Sequence, residues 1–316
     1  MKKVYFRADA SATIGYGHFI RTLALADMLK DDFDCTFFTC HPTLYQVSEM
    51  EKVCLFITLQ EETHYDDFLS YLQGDEIIVL DNYFFSSDYQ KLIKEKGCKL
   101  VCFDDLHDKH YYADIVIGYG QNQTALISAE SYSQLCLGLQ WVPLRPEFRR
   151  NFRPMKSFVE IKYIVVSLGG SASYSLLNSL LSKIDHFFDL EDIIVIIGEE
   201  EYTSPKLKAN LNIFRNITAQ DIVTIFTAVD FGFFSASTIC IEALACGLPF
   251  ACGYYVDNQV EFYHYLCSEK IAHGVGNLYE YTTIGNEIYN FKSEFDCKLL
   301  IQTEVNYKNI IQSLCL

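Results

Sequence analysis

The glycine-rich loop near the start of the chain reads Thr13-Ile14-Gly15-Tyr16-Gly17-His18-Phe19-Ile20-Arg21-Thr22-Leu23-Ala24-Leu25. It follows a short apolar run at residues 4–8, which is typical of a β-strand. The residues after the loop predict an amphipathic helix that ends near Lys30, because apolar residues recur at helical spacing. These apolar residues are Phe19, Leu23, Ala26 and Leu29. The stretch therefore predicts a strand, a glycine loop and a helix in succession.

This loop has the features of an anion-binding site. In a strand, loop and helix arrangement, backbone N–H groups and the helix N-terminus can meet a negative charge. Gly15 and Gly17 would let the backbone approach such a ligand closely. His18 lies where the helix begins, and an imidazole can take or give a proton near neutral pH. A tight turn with a surface histidine is the alternative, because short glycine motifs are common.

Size and composition predict a two-domain protein with a substantial core. The chain has 316 residues, of which 50% are hydrophobic and 15% are aromatic, and domains commonly contain about 150 residues. The net charge of −16 argues against nucleic acid and membrane surfaces as partners, because both attract basic patches. The N-terminal residues do not resemble a signal peptide, and no stretch is as long as a membrane span. We therefore expect a cytoplasmic protein.

The twelve cysteines are interpreted as buried thiols. None of them forms a Cys-x-x-Cys pair, and most lie in apolar patterns, where a free cysteine behaves as a small hydrophobic residue. A chain without an export signal is expected in a reducing compartment. The sequence therefore predicts neither disulfides nor a metal site. No motif calls for a cofactor, and Ile20 replaces the third glycine of a dinucleotide-binding Gly-x-Gly-x-x-Gly loop.

The first half of the chain alternates strand patterns with helical or loop segments. The strand patterns lie at residues 4–8, 35–39, 77–80, 100–103 and 115–117. Such alternation predicts a parallel sheet with helices on both faces. The prolines and arginines of residues 141–154 break the alternation and are typical of a linker.

The alternation restarts after the linker. A strand pattern at residues 163–168 leads into Gly169-Gly170-Ser171 and a helix at residues 174–184. Further strand patterns lie at residues 193–197, 211–214, 231–234, 249–252 and 272–275, and a helix at residues 237–246 is predicted to end at Gly247. The fold class is therefore α/β, with two Rossmann-like doubly wound domains that face a cleft. We expect these domains to span residues 1–150 and 155–316.

Two more strand-to-helix loops could hold a phosphate group. One is Gly169-Gly170-Ser171, and the other is Ser235-Ala236-Ser237-Thr238, before the helix that carries Glu242. A serine or threonine before a helix is usually an N-cap, but the same N-terminus offers hydroxyl and N–H groups to a diphosphate without a metal. Glu242 could accept hydrogen bonds from a ribose diol, or it could be an ordinary helix residue.

Polar side chains also follow several predicted strands. Asp257-Asn258-Gln259 could grip sugar hydroxyls or phosphate, or could form an ordinary Asx turn. The carboxylates of Asp81-Asn82-Tyr83 and Asp104-Asp105-Leu106 could orient a histidine or bind sugar hydroxyls. One of the two adjacent aspartates could instead cap a helix or a turn.

Several of these strings resemble one family. In chain order they are Arg7-x-Asp9, Gly15-Tyr16-Gly17-His18-x-x-Arg21, Asp104-Asp105-Leu106, Leu144-Arg145-Pro146-Glu147-Phe148, Gly169-Gly170-Ser171 and Asp257-Asn258-Gln259. Together they resemble the UDP-2,4-diacetamido-2,4,6-trideoxy-β-L-altropyranose hydrolases of pseudaminic acid biosynthesis, over residues 7–265. The resemblance implies a GT-B-like fold in which the C-terminal domain holds most of the UDP.

The resemblance also implies roles for individual residues. It makes His18 the residue that activates water at the anomeric carbon of a UDP-sugar. The implied substrate-binding residues are Gly17, Arg21, Tyr83, Asn258 and Gln259. The implied UDP-binding residues are Gly169, Gly170, Ser237, Thr238 and Glu242. The expected products are UDP and a free amino or deoxy sugar.

Two departures from the family pattern concern the sugar more than the nucleotide. Ala172-Ser173 stands where the family commonly has Asp-Pro, and Ser235-Ala236-Ser237-Thr238 replaces a glycine-containing loop. Two alternatives to a hydrolase remain. One is a GT-B glycosyltransferase that passes the sugar from UDP to an acceptor, although the acidic chain lacks the basic face of enzymes with lipid-linked acceptors. The other is a nucleotide-sugar-binding protein without catalysis, against which His18 argues.

Overall fold

The chain divides into two compact units. The first contains Met1–Pro146 and Leu299–Leu316, and the second contains Glu147–Lys298. The computed structural model describes residues 1–10, 15–157, 160–169, 172–198, 201–215 and 217–315. The first change of unit falls within the segment that is rich in proline and arginine. The C-terminal end differs from the expected boundary, because Leu299–Leu316 cluster with the first unit.

A parallel sheet forms the centre of the first unit. Its described strands are β1 (Lys3–Ala8), β2 (Asp34–Cys40), β3 (Leu55–Leu59), β4 (Ile77–Asp81), β5 (Lys99–Phe103), β7 (Ile115–Gly118) and β9 (Gln134–Leu137). They lie in the order β3-β2-β1-β4-β5-β7-β9, and each neighbouring pair is parallel. The short strands β6 (His110–Tyr111) and β8 (Ser128–Ala129) pair with each other.

A second parallel sheet forms the centre of the other unit. Its described strands are β10 (Tyr163–Ser167), β11 (Asp192–Ile197), β12 (Asn210–Arg215), β13 (Phe231–Ser235), β14 (Phe250–Tyr254) and β15 (His273–Asn277). They lie in the order β12-β11-β10-β13-β14-β15, again with parallel neighbours. The predicted α/β class with two doubly wound domains is therefore confirmed.

Helices connect the strands in both units. Within the described residues they are α1 (Gly17–Leu29), α2 (Leu44–Glu51), α3 (His64–Ser70), α4 (Ser87–Glu95), α5 (Pro146–Arg149), α6 (Tyr174–Phe187), α7 (Ala219–Ala228), α8 (Thr238–Ala245), α9 (Val260–Ser268), α10 (Lys298–Ile301) and α11 (Thr303–Ser313). The predicted apolar face of α1 is buried, which confirms that interpretation. Helix α8 ends before Gly247, as predicted, and this glycine has a positive φ of 67° because the chain must turn back there.

Helix α11 joins the first unit because its apolar side chains are buried there. Tyr307 is fully buried, its ring packs edge-on against Trp141 with 5.6 Å between centroids, and its hydroxyl donates to the Trp141 carbonyl. Asn306 Nδ2 donates to the Gln140 carbonyl at 3.1 Å. Helix α11 also packs against α1. These contacts explain why the second unit ends at Lys298.

The strand order leaves one natural binding position in each unit. In the first sheet, β2 lies on one side of β1 and β4 lies on the other side. The chain therefore leaves β1 and β4 in opposite directions, and a crevice opens between the loops that follow these two strands. In doubly wound sheets, ligands bind beyond the carboxyl ends of the strands at such a switch point. The same geometry occurs in the second unit between β10 and β13.

Candidate active site

Helix α1 carries three buried polar side chains in an otherwise apolar setting. They are His18, Arg21 and Thr22, with exposed fractions of 6%, 5% and 0%. Their spacing of three and four residues puts them on one face of the helix. Because buried polar groups need partners, this face predicts a polar cluster at the switch point between β1 and β4.

Asp81, the last residue of β4, is the shared partner of these side chains. One of its oxygens lies 2.7 Å from His18 Nδ1 and 2.6 Å from Arg21 Nη2. The other accepts from Arg21 Nε at 2.6 Å and from the Thr22 hydroxyl at 2.8 Å. Burial by itself would raise the pKa of Asp81, but the charges of Arg21 and His18 outweigh burial and hold this pKa well below its usual range.

The contact with Asp81 determines which ring nitrogen of His18 carries the proton. Arg21 Nη2 also lies 3.1 Å from His18 Nδ1, but the carboxylate is nearer and can only accept. We therefore assign a proton to Nδ1, which donates to Asp81. In the neutral imidazole this leaves Nε2 as the basic nitrogen. A carboxylate behind a histidine also stabilises the positive charge that forms when Nε2 takes a proton.

Arg21 joins Asp81 to a second carboxylate, Asp105, which lies after β5. Its Nη1 and Nη2 donate to the two oxygens of Asp105 at 2.9 and 2.8 Å, and Nη1 also donates to the Tyr119 hydroxyl at 2.9 Å. Burial lowers the pKa of Arg21, but Asp105 and Asp81 more than compensate and raise it well above its usual value. The substrate-binding role predicted for Arg21 stays a prediction, since all of these donors serve partners within the protein.

Tyr83 and Gly17 lie at the accessible side of this cluster. The Tyr83 ring packs edge-on against the His18 ring at 4.5 Å, and its hydroxyl donates to Asp105 at 3.3 Å. Tyr83 is 38% exposed. Gly17 is exposed and is the first residue of α1. Both are therefore accessible enough to contact a ligand near His18.

A second polar cluster lies beside the first. Arg7 is fully buried and forms a bidentate ion pair with Asp9 at 2.5 and 2.7 Å. Arg7 Nη2 also lies 3.3 Å from Cys40 Sγ and 3.0 Å from His64 Nδ1. Asn82 exchanges two hydrogen bonds with the backbone of Asp9. The cluster therefore ties the carboxyl ends of β1, β2 and β4 together.

The same cluster contains a possible set of metal ligands. Ligand atoms of Asp9, Cys40 and His64 lie within 4.8 Å of one another. However, the Arg7 guanidinium contacts all three residues, and a metal ion would have to displace this positive charge. We therefore interpret these residues as the binding site of the arginine. The twelve cysteines, all at described positions, are free thiols and most of them are buried.

The switch point of the second unit contains the predicted glycine loop. Gly169 has φ of 81°, a conformation that favours glycine, while Gly170 and Ser171 lie outside the described residues. The carbonyl of Leu168 accepts from the Ser235 hydroxyl at 3.1 Å and from the Tyr255 hydroxyl at 2.9 Å. These two hydroxyls hold the strand end from which the loop departs.

Helix α8 begins at the same switch point. Ser237 occupies the N-cap position but makes no side-chain capping hydrogen bond, and its hydroxyl donates instead to the Ser235 carbonyl at 3.4 Å. Ser237 and Thr238 are half-buried. Glu242 lies one turn further along and is buried. The usual capping role of Ser237 is therefore absent here, whereas the N-terminus itself has the polarity that attracts an anion.

Asn258 and Gln259 occupy a short 3₁₀ turn after β14. Asn258 is exposed, so it is open to a ligand. Gln259 is buried, and its side-chain oxygen accepts from the Tyr255 backbone at 3.1 Å. Gln259 therefore also stabilises its own loop.

Several residues of these sites were not singled out from the sequence. Thr22 and Tyr119 contact Asp81 and Arg21, and Tyr255 supports the glycine loop. Thr22 could have been found from its position next to Arg21 on the polar face of α1. Tyr119 and Tyr255 carry no local signal, because only the neighbouring strands bring them to these sites.

Solved structures of other proteins have the same fold as this chain. Arabidopsis thaliana UGT89C1 superposes with a TM-score of 0.65 at 10% identity and covers 99% of both chains. UGT89C1 complexed with UDP-L-rhamnose gives a TM-score of 0.66 at 11% identity, with 99% of both chains covered. Acinetobacter baumannii MurG gives 0.59 at 14% identity, covering 98% of this chain and 95% of that one. The protein has the GT-B fold of these glycosyltransferases.

Sequence comparison adds a more specific similarity. The chain is 28% identical, over 286 residues, to the UDP-2,4-diacetamido-2,4,6-trideoxy-beta-L-altropyranose hydrolase of Campylobacter jejuni, covering 81% of this chain and 93% of that one. This match confirms the resemblance seen in the motifs. An uncharacterized protein of Methanocaldococcus jannaschii is 25% identical, covering 83% of this chain and 57% of that one. No protein-family model matches the chain. In the described part of the chain, none of the helices has both the length and the apolar character needed to cross a bilayer.

Proposed function

We propose that the protein hydrolyses a UDP-sugar and releases UDP and a free amino or deoxy sugar, as a step in the biosynthesis of a pseudaminic-type nonulosonic acid. The observation that carries this proposal is the buried pair of His18 and Asp81, 2.7 Å apart at the switch point of the first unit. The similarity to the C. jejuni hydrolase supports the choice of substrate class.

In the proposed reaction, His18 is the general base. Its Nε2 takes a proton from water while the water oxygen forms a bond to the anomeric carbon. The bond between that carbon and the β-phosphate oxygen breaks, and UDP leaves with the electron pair. Asp81 stabilises the resulting imidazolium, so the buried site does not have to hold an isolated cation. Gly17 and Tyr83 are proposed to contact the sugar.

We assign the nucleotide to the second unit. The N-terminus of α8, with Ser237 and Thr238, would stabilise the diphosphate as it leaves, because backbone N–H groups and the helix dipole favour negative charge. Gly169 and Gly170 would allow the backbone to approach the phosphates. Glu242 would accept hydrogen bonds from the ribose. Asn258 and Gln259 would contact the sugar or the phosphates, and neither a metal nor another cofactor is part of the proposal.

A glycosyltransferase is the second candidate, because the structural neighbours are glycosyltransferases. The deciding experiment incubates the protein with candidate UDP-sugars in ¹⁸O-labelled water without an acceptor. Hydrolysis at carbon predicts free sugar in the NMR spectrum, with the label on its anomeric oxygen and none on UDP. Label on UDP would refute attack at carbon. Turnover only with an added acceptor would favour the transferase, and binding without turnover would favour a nucleotide-sugar-binding protein.

A further inference from the structure

The His18 cluster contains more negative than positive charge. Asp81 and Asp105 are two carboxylates, and Arg21 is the guanidinium that both of them contact. With neutral His18 the group therefore has a net charge of −1, and with protonated His18 it is neutral. Arg21 and Asp81 are buried, whereas the Asp105 side chain is 22% exposed. An unbalanced charge is disfavoured in such a setting, and most strongly where burial is deepest. Arg21 therefore balances only one of the two carboxylates that it contacts.

Asp105 is the residue that creates this imbalance. Arg21 Nη2 lies 3.1 Å from His18 Nδ1, so its charge opposes protonation of the imidazole. If Asp81 were the only carboxylate, Arg21 would cancel it and His18 would face a neutral pair. Because Asp105 accepts two further hydrogen bonds from Arg21, the guanidinium is balanced from its other side. The charge of Asp81 then remains available to His18.

Other ionisable groups around the cluster do not change this balance, and the neighbouring Arg7 is itself paired with Asp9. Among the described residues of the first unit, those that face His18 or Arg21 are Asp81, Tyr83, Asp105, Tyr119 and, from α11, Tyr307. Burial raises the pKa of Tyr119 to about 12, so its hydroxyl is neutral. Lys109 donates to the Tyr83 carbonyl at 2.8 Å but is paired with Asp108. Residues 11–14, which lie outside the described part, are Ser-Ala-Thr-Ile and carry no ionisable side chain.

We propose that Asp105 is a positioning residue that makes His18 an effective base by balancing the charge of Arg21. This inference rests on the proposed function, in which His18 takes the proton of the attacking water. Asp105 also holds the Tyr83 hydroxyl, which is 3.3 Å away. Asp105 thus orients Tyr83 and also offsets the positive charge of Arg21 next to His18, the residue against which Tyr83 packs.

The test compares Asp105→Asn with the wild-type protein. The substitution keeps the shape of the side chain and removes its charge, so His18 should lose its proton at lower pH. We expect the midpoint of the His18 imidazole titration, followed by NMR without substrate, to fall by about one pH unit. The signal is assigned by its absence in His18→Asn. The acid limb of the kcat/KM profile should move to lower pH by a similar amount.

Matched variants separate charge from packing. Asp114→Asn removes a carboxylate that pairs with Lys94 and directly precedes β7, at the amino ends of the strands, whereas Asp105 follows the carboxyl end of β5. It should leave the His18 midpoint unchanged. Tyr83→Phe removes the hydroxyl contact with Asp105 but keeps the charge, so it should lower kcat without moving the acid limb. Asp105→Ser is a second neutral variant if Asp105→Asn does not fold. The same midpoint in the wild-type protein and in a folded neutral variant would overturn the proposal.

The titration and the activity assay test different statements. If the wild-type protein hydrolyses no UDP-sugar, the proposed function fails, whereas the effect of Asp105 on His18 is still measured by NMR. If hydrolysis occurs and the midpoint of Asp105→Asn does not move, the role of Asp105 is refuted and the proposed function stands.

Discussion

Replacing Asp81 with asparagine should remove most of the catalytic activity while leaving the nucleotide site intact. In the structure, Asp81 accepts from His18 Nδ1 at 2.7 Å, and this contact keeps Nε2 as the basic nitrogen. An asparagine amide can donate to Nδ1, which would favour the other tautomer and place the proton on Nε2. The variant also loses the charge that stabilises the imidazolium. A mispositioned or mis-protonated general base typically costs 10²–10⁴-fold in rate.

The size of the effect on stability follows from the same contacts. Asp81 is 1% exposed and is paired with Arg21, and breaking a buried ion pair typically costs about 3–5 kcal/mol. Arg21 keeps Asp105 and Tyr119 as partners, so we expect the lower end of that range. The variant should therefore unfold at a lower temperature but remain folded at assay temperature.

The assay measures UDP release at saturating substrate, together with UDP affinity by calorimetry. His18→Asn is the companion variant, and the double variant should lose about as much kcat as either single variant, because residues that act as one unit are not additive. UDP affinity should stay within about twofold of wild type, since Asp81 lies in the first unit. The reasoning is refuted if Asp81→Asn keeps more than a tenth of the wild-type kcat while His18→Asn is inactive.

Four further predictions concern other parts of the molecule. Glu242→Ala should weaken UDP binding by about 1–3 kcal/mol in calorimetry, because buried ribose hydroxyls would lose their acceptor. An unchanged UDP affinity would show that Glu242 does not contact the ribose. The pKa of Asp81 is lower in the folded protein than in the unfolded chain, so its ionised carboxylate should stabilise the fold above about pH 4. This contribution to the free energy of unfolding should be lost as the pH falls through the folded pKa. An equal pH dependence of that free energy in wild type and Asp81→Asn would contradict the prediction. Tyr307→Ala should destabilise the protein by about 3–5 kcal/mol in denaturant unfolding, whereas Val305→Ala, at a 58% exposed position of the same helix, should have little effect. A chelator should change neither UDP binding nor turnover, because the proposed diphosphate site relies on N–H groups, and a strict requirement for a divalent ion would refute that account.

Most strands of the two sheets could be predicted because their residues are continuously apolar. Residues 77–80 and 163–168 are examples, since strands buried on both faces give this pattern. The strand β3 (Leu55–Leu59) was not identified. Its sequence, Leu-Phe-Ile-Thr-Leu, is also mostly apolar. It lies at the edge of its sheet, where Leu55 is 76% exposed, so an apolar run does not by itself distinguish an edge strand from a buried one. The pairing of α11 with the first unit also has no local signal, because it depends on contacts with residues such as Trp141, far away in the chain.

The motifs of the candidate site could be predicted from the sequence, but the hydrogen bonds and ion pairs between their residues could not. His18, Arg21, Asp81 and Asp105 all belonged to strings that followed predicted strands. Which carboxylate would meet His18 depends on the strand order, which places β4 directly beside β1. Local sequence does not encode that order. The double role of Arg21, which contacts both carboxylates, follows only from the three-dimensional arrangement.

The return of α11 to the first unit has a consequence for synthesis on the ribosome. The second unit is contiguous in the chain, whereas the first is built from segments on either side of it. At about 5–20 residues per second, the second unit takes on the order of ten seconds to emerge. Until α11 follows, the parts of α1 and of residues 139–141 that it contacts remain uncovered. Helix α1 carries His18, so the His18 cluster acquires its final packing only after the second unit has been made. During that interval the nascent first unit presents an apolar surface to chaperones.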